Sequence, residues 1–243
     1  MDQAEIERQF RHIEVWKRGS ERAPHKPLLL LYALGRAGRN NDRLMPYSEV
    51  DRALHELLKE FGPHRRSIHT EYPFWRLQHD GIWQISASTA LERRGSNAEP
   101  KKSELLKHGV QGGFPPDIWA ALQQDPSLAL ALAHIILDMN FPPSLHDDLL
   151  SATGLDGDMA RVAPKHRDPQ FRMRVLTAYE HCCAICGFDV RLGSIQLGLD
   201  AAHIMWHQAG GPDVVQNGLA LCTLHHKLFD RGAFTLDFGQ SGC

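Results

Sequence analysis

The sequence predicts an α+β chain: a mainly helical N-terminal domain with one short β-hairpin, followed by a smaller C-terminal unit of strands and a helix. Three observations predict this. Apolar residues recur at helical spacing through residues 4–16, 26–39 and 47–61, with Pro24, Pro46 and Pro63 as breaks. Residues 73–77 and 82–86 lie on either side of the turn His79-Asp80-Gly81 and alternate in character. Finally, Cys183-Ala184-Ile185-Cys186 and Cys222-Thr223-Leu224-His225 repeat one two-residue gap, with strand-like sequence before His203 and helix-like sequence after Asn217.

In chain order, the three periodic stretches are read as helices and residues 73–86 as the hairpin. Ser103 to Lys107 ends a helix before the loop His108-Gly109-Val110-Gln111-Gly112-Gly113. A glycine pair there lets a ligand approach the backbone, or simply connects two helices. Residues 115–124 and 127–140 read as two further helices. Residues 154–168 are polar, broken by proline and without period, as interdomain linkers are. The expected domains are therefore 1–153 and 169–243. No internal repeat or low-complexity tract interrupts either.

Composition narrows the function. Twenty-seven Lys and Arg oppose 29 Asp and Glu, so the chain lacks the positive field of a nonspecific DNA coat, and any nucleic-acid contact must be a local patch. The longest apolar stretch, residues 128–137, is too short to span a bilayer, and the N-terminus has no basic-then-apolar leader. A cytoplasmic protein away from membranes is expected.

Five cysteines are an odd number, and Cys182, Cys183, Cys186 and Cys222 fall in two tight places, which suggests metal over disulfides. Thiolate and imidazole are what zinc prefers, and a CxxC plus CxxH set makes four ligands with no open position. Cys183, Cys186, Cys222 and His225 are the expected ligands of a structural zinc. Cys182 competes with Cys183 but lacks the two-residue gap. The alternative is a set of buried, reduced cysteines without metal.

Between the cysteine pairs, His203, Asn217 and His226 follow in order at intervals of 14 and 9 residues. Together with Ala201-Ala202-His203-Ile204, Asn217-Gly218-Leu219, Cys222 to His225 and Phe229-Asp230-Arg231-Gly232, the last seventy or so residues resemble the HNH nuclease family, whose fold is the ββα-metal unit. Phosphodiester hydrolysis needs a nucleophilic water, charge stabilisation at phosphorus and relief of charge on the departing oxygen. His203, with a near-neutral pKa, is suited to take the proton from water. His225 and His226 project about 100° apart on a helix, so one faces the zinc and the other the cleft. The resemblance implies that Asn217 fixes the loop and the orientation of His203. It also implies that His226 binds a catalytic Mg²⁺ or Mn²⁺, with Asp200 the nearest carboxylate. Ala202 departs from one common pattern, which has an acidic residue or a histidine before the general base. A zinc-ribbon module with incidental histidines is the non-enzymatic alternative.

Phosphate contacts position without specifying, so target choice falls to the N-terminal domain. Two segments there mix cations with proline or aromatics. One is residues 22–31, with His25 and Lys26. The other runs from His64 through Arg65 and Arg66 to Tyr72, Pro73, Phe74, Trp75 and Arg76. Both resemble the sulfur-binding domain of McrA-like, type IV restriction endonucleases that attack phosphorothioated double-stranded DNA. The resemblance implies an apolar wall for sulfur from Tyr72 and Pro73, with Phe74 in the same segment. Arg65, Arg66, Arg76, His25 and Lys26 would pair with phosphates or base edges, and Gly112 would close over the backbone. An HNH enzyme that reads methylated or unmodified DNA is one alternative, and an inactive zinc-containing regulator is another. Cutting both strands takes two sites or two visits, so a homodimer is a further expectation; the apolar residues 127–140 form its contact or else belong to the core.

Overall fold

The computed structural model describes residues 2–18, 21–39, 42–63, 67–86, 91, 99–155, 169–193 and 195–236. The chain divides into two compact units, Met1–Val162 and Ala163–Cys243. The division falls within the segment expected to link the domains, most of which lies outside the described residues.

In the first unit, helix α1 (Gln3–Arg11) starts where the Asp2 carboxylate accepts the Glu5 N–H and buries Ile6 and Phe10, one turn apart. A two-residue antiparallel pair, β1 (Lys17–Arg18) and β2 (Glu21–Arg22), precedes helix α2 (His25–Ala37). Leu28, Leu29, Leu30, Leu31 and Leu34 are all solvent-inaccessible, so α2 is apolar around most of its circumference and forms the centre of the core. Helices α3 (Tyr47–Phe61), α7 (Pro126–Asn140) and α8 (His146–Thr153) pack on it. Gly35 makes the last of these contacts possible, because a Cβ there would stand 1.9 Å from the Thr153 carbonyl oxygen. Helix α6 (Pro116–Gln124) completes the layer.

The expected hairpin at 73–86 is not formed. Residues Glu71–Arg76 are a helix, α4, continued by a 3₁₀ turn over Leu77–Asp80. Pro73 sits in the first turn, where its missing N–H costs nothing. Phe74 and Leu77, three residues apart, both point into the core, which is a helical period and not an alternation. Strand β4 (Gln84–Ile85) instead pairs with β5 (Gln111–Gly113), which also pairs with β3 (Met45–Pro46), giving an antiparallel sheet of order β3-β5-β4. Helix α5 (Lys102–Lys107) leads into β5. The glycine loop is thus a central strand. A Cβ on Gly112 would lie 2.7–2.8 Å from the Trp83 and Phe74 rings. The apolar side of α7 packs into the same core, with Leu128, Leu132, Ala133, Ile136 and Leu137 buried.

The second unit contains helix α9 (Pro169–Ala178), a short pair β6 (Arg191–Leu192) and β7 (Ile195–Gln196), and the hairpin β8 (Leu199–His203) and β9 (Gly218–Cys222). Helix α10 (Thr223–Asp230) follows. Asn217 is followed directly by strand, and the expected helix begins six residues later. Its core is separate: Phe171, Val175 and Leu176 of α9 pack on Leu199, Ala201, Ala202 and the fully buried β9. Gly218 lets α9 approach, since a Cβ would meet Val175 at 2.3 Å.

Candidate functional site

The register Leu199↔Cys222 to His203↔Gly218 brings one end of the β8–β9 hairpin to the cysteine pairs and the other to His203. At the first end, one ligand atom each from Cys183, Cys186, Cys222 and His225 lies within 4.8 Å of the others. Cys186 Sγ and Cys222 Sγ are 3.9 Å apart, and His225 Nδ1 is 3.2 Å from Cys222 Sγ and 3.6 Å from Cys183 Sγ. Sulfurs on a zinc tetrahedron with bonds of about 2.3 Å stand about 3.8 Å apart, so the cluster can hold a metal ion. Burial raises the Cys183 thiol, but the N–H groups of Cys186, Cys222 and Ile185 outweigh it and bring it down to about 6. Cys182 points elsewhere, donating to the Glu180 carbonyl at 3.5 Å.

At the other end, His203 stacks on Phe171 with centroids 4.2 Å apart, and its Nε2 lies 2.7 Å from Asp213 Oδ1. Asn217 fastens the intervening loop. Its Oδ1 accepts the Met205 N–H at 2.9 Å, and its Nδ2 donates to the carbonyls of Met205 at 3.0 Å and Pro212 at 3.1 Å. One position along α10 from His225, His226 turns to the opposite side. Its Nδ1 is 3.9 Å from Asp200 Oδ2, and its Nε2 is 3.3 Å from Asp230 Oδ2. Asp200 is half-exposed and also faces Arg172 at 3.7 Å, whereas the Asp230 side chain is 2% exposed. Sequence reasoning missed Asp213 and Asp230. Helical spacing from His226 was the available signal for Asp230.

In the first unit, Tyr72 is exposed and stacks on His69 at 5.1 Å, with the Arg76 guanidinium 5.0 Å over its ring. An open groove of about 550 Å³ adjoins it, lined by Glu71, Tyr72, Glu99, Lys101, Lys102 and Leu106 among others. Pro73 and Phe74 do not reach the surface: both are buried, Phe74 between Tyr47 and Trp83 and behind Gly112. These two and Gly112, all expected at the DNA, are buried positions in this unit. Arg76 is engaged by both carboxylate oxygens of Glu99, at 2.5 and 2.9 Å, which also raises its pKa. Lys26 donates to Asp80 at 2.6 Å and is mostly covered, while His25 opens α2 in a half-buried setting. Arg65 and Arg66 lie outside the described residues. No helix among the described residues is long and apolar enough to cross a membrane.

The family described as ScoMcrA-like, DNA sulfur-binding domain matches residues 3–158, and the family HNH endonuclease matches residues 183–237. The solved sulfur-binding domain of ScoMcrA complexed with phosphorothioated DNA is 23% identical. Its alignment covers 64% of this chain and 98% of that one, with a TM-score of 0.56. The corresponding domain of SprMcrA is 22% identical, covering 64% and 96%, with a TM-score of 0.54. The type IV phosphorothioation-dependent restriction endonuclease ScoMcrA is 23% identical, covering 66% of this chain and 36% of that one, with a TM-score of 0.53. A curated relative, the chromosome partition protein Smc of Thauera aminoaromatica, is 28% identical over 149 residues. That alignment is 55% of this chain, and the chain spans 12% of that protein. The chain belongs to the ScoMcrA-like DNA sulfur-binding domain family and carries an HNH endonuclease domain after it.

Proposed function

We propose that the protein is a restriction endonuclease that binds phosphorothioated double-stranded DNA through its first unit and hydrolyses phosphodiester bonds with its second. The observation that carries this reading is the family match over residues 3–158, followed in one chain by an HNH match holding His203, Asn217 and His226.

A phosphorothioate places a large, polarizable and weakly hydrogen-bonding sulfur where a phosphate has oxygen. Apolar surface accepts sulfur, whereas an oxygen buried there loses its water partners at about 1–3 kcal/mol, or roughly ten- to a hundredfold in affinity. Tyr72, exposed and braced between His69 and Arg76, is the residue proposed for that surface. His25 and Lys26 at the start of α2 are proposed for neighbouring phosphates, and the tie from Lys26 to Asp80 joins that start to the turn after α4.

In the second unit, Cys183, Cys186, Cys222 and His225 would hold a structural zinc, which the all-thiolate-and-imidazole donor set and its spacing favour. His226 and Asp200 would hold the catalytic Mg²⁺ or Mn²⁺. Their facing donor atoms stand 3.9 Å apart, an imidazole nitrogen and a carboxylate oxygen. When bound, that ion supplies charge neutralisation at the phosphate and leaving oxygen. Asp230 contacts the other ring nitrogen of His226 and holds the ring in place. His203 takes the proton of the attacking water, and Asn217 keeps the loop beside it closed.

The test compares matched duplexes, one phosphorothioated and one not, cut by wild-type protein and His203→Ala with Mg²⁺ or Mn²⁺. Cutting confined to the sulfur-bearing duplex and lost in the variant is expected. Equal cutting of both duplexes would remove the sulfur reader, and binding without cutting would remove the nuclease.

A further inference from the structure

We infer that Asp213 is the positioning residue for His203, fixing its neutral ring in the tautomer whose Nδ1 takes the proton of water. The inference rests on the reading of His203 as general base. Asp213 Oδ1 is 2.7 Å from His203 Nε2, and an ionised carboxylate only accepts hydrogen bonds, so Nε2 carries the hydrogen and Nδ1 the lone pair. The ring is only 13% exposed and lies flat on Phe171, so stacking sets its plane while Asp213 sets its rotation within that plane.

Asp213 is itself held from two sides. Arg174 donates to its backbone carbonyl at 3.0 Å, and Asn217 donates to the preceding carbonyl, Pro212, at 3.1 Å. The asparagine of the motif therefore acts on His203 through the loop that delivers Asp213. Among the described residues, the charged and titratable groups beside the pair include Arg174 from α9 and His207, whose ring meets His203 edge-on at 5.9 Å.

In the step itself, Nδ1 binds a proton of water as that O–H bond breaks. The hydroxide oxygen bonds to phosphorus, and the bond to the leaving oxygen breaks with its electron pair, which solvent then protonates. The imidazolium so formed faces the Asp213 carboxylate, which opposes its charge and keeps its orientation.

The test has two arms. In protein that keeps its cysteine-bound metal but is given no Mg²⁺ or Mn²⁺, with ¹⁵N-labelled histidine, NMR reads the tautomer of His203, its signal assigned by its loss in His203→Ala. The expected result is the Nε2–H form in wild type, lost in Asp213→Asn and kept in Asp213→Glu. An Nδ1–H form in wild type overturns the inference. In the second arm, Asp213→Asn is expected to lower kcat by about 10²–10⁴-fold, the range of a lost general base, with KM and DNA affinity little changed. Asp213→Glu should recover about tenfold or more of that loss. Asp213→Asn protein that cuts as fast as wild type overturns the inference. Wild-type protein that cuts no duplex overturns the nuclease reading, while the tautomer measurement still decides the Asp213 contact.

Discussion

Asn217 and Met205 bind each other in both directions, the amide of one side chain closing on the backbone N–H and carbonyl of the other residue at 2.9 and 3.0 Å. Asn217→Ala leaves both backbone groups without their partner, and Asn217→Asp keeps the acceptor but loses the donor. Both variants should cut more slowly, by about ten- to a hundredfold if about 1–3 kcal/mol of loop order is lost. DNA affinity should be unchanged, because the reader lies in the other unit. Cleavage rates set beside a binding titration check this.

The metal cluster makes a second prediction. If the cluster holds the proposed zinc, wild type should retain about one ion per chain, and Cys186→Ser should abolish that retention and destabilise the second unit while leaving the first folded. Metal analysis and limited proteolysis read the two effects. The metal-free protein carries a pH signature as well. The Cys183 thiol is lowered from 9.0 to about 6, so its stabilising contribution is complete above the ordinary thiol range and lost as pH falls through about 6. Denaturant titrations of chelated protein should show the second unit gaining stability between those values.

If Arg76 meets DNA, as its resemblance to the sulfur-binding domains implies, Glu99 competes with DNA for it. Replacing it as Glu99→Gln frees the guanidinium, and affinity should rise a few-fold at low salt. The slope of log K against log salt should steepen by about 0.9, the value of one extra phosphate contact. Tyr72→Ala should act differently, lowering affinity for the phosphorothioated duplex by about tenfold while hardly changing that for the plain one. An equal loss on both duplexes would assign Tyr72 to backbone contact alone.

Gly35→Ala tests the α2–α8 contact. The new methyl has the Thr153 carbonyl in its way, and the helices must separate, so a loss of about 1–3 kcal/mol in the first unit is expected by chemical denaturation. Leu155, which packs on the same core, should become more exposed.

Features whose signal is local in the chain were the ones legible in sequence. The helices α2, α3, α6 and α7 follow from apolar period and proline breaks, and the two cysteine pairs from a spacing that repeats. The different directions of His225 and His226 follow from helix geometry alone, and the structure turns them toward the cysteines and toward Asp200 respectively. Features that depend on distant partners were not legible. Residues 73–77 read as a strand because Pro, Trp and Leu alternate, but the chain buries Leu77 in the core and Phe74 against Tyr47 and Trp83, which no local pattern announces. Gly112 looked like an open loop because its neighbours in sequence are polar, whereas its neighbours in space are two aromatic rings. Asp213 had no signal at all, since its meaning depends on a loop folding back upon His203.

With a metal on the cysteines and His225 as proposed, the adjacency of His225 and His226 would make α10 a mechanical fuse. A thiol oxidant or a strong chelator acting on the cysteines would unseat the first turn of that helix and carry His226 out of register with Asp200, while the sulfur-binding domain, which shares none of those ligands, would keep its grip. Under metal starvation or oxidative stress such a protein would change from a blade into a clamp. It would occupy the sites it can no longer cut and shield them from whatever else comes to read them.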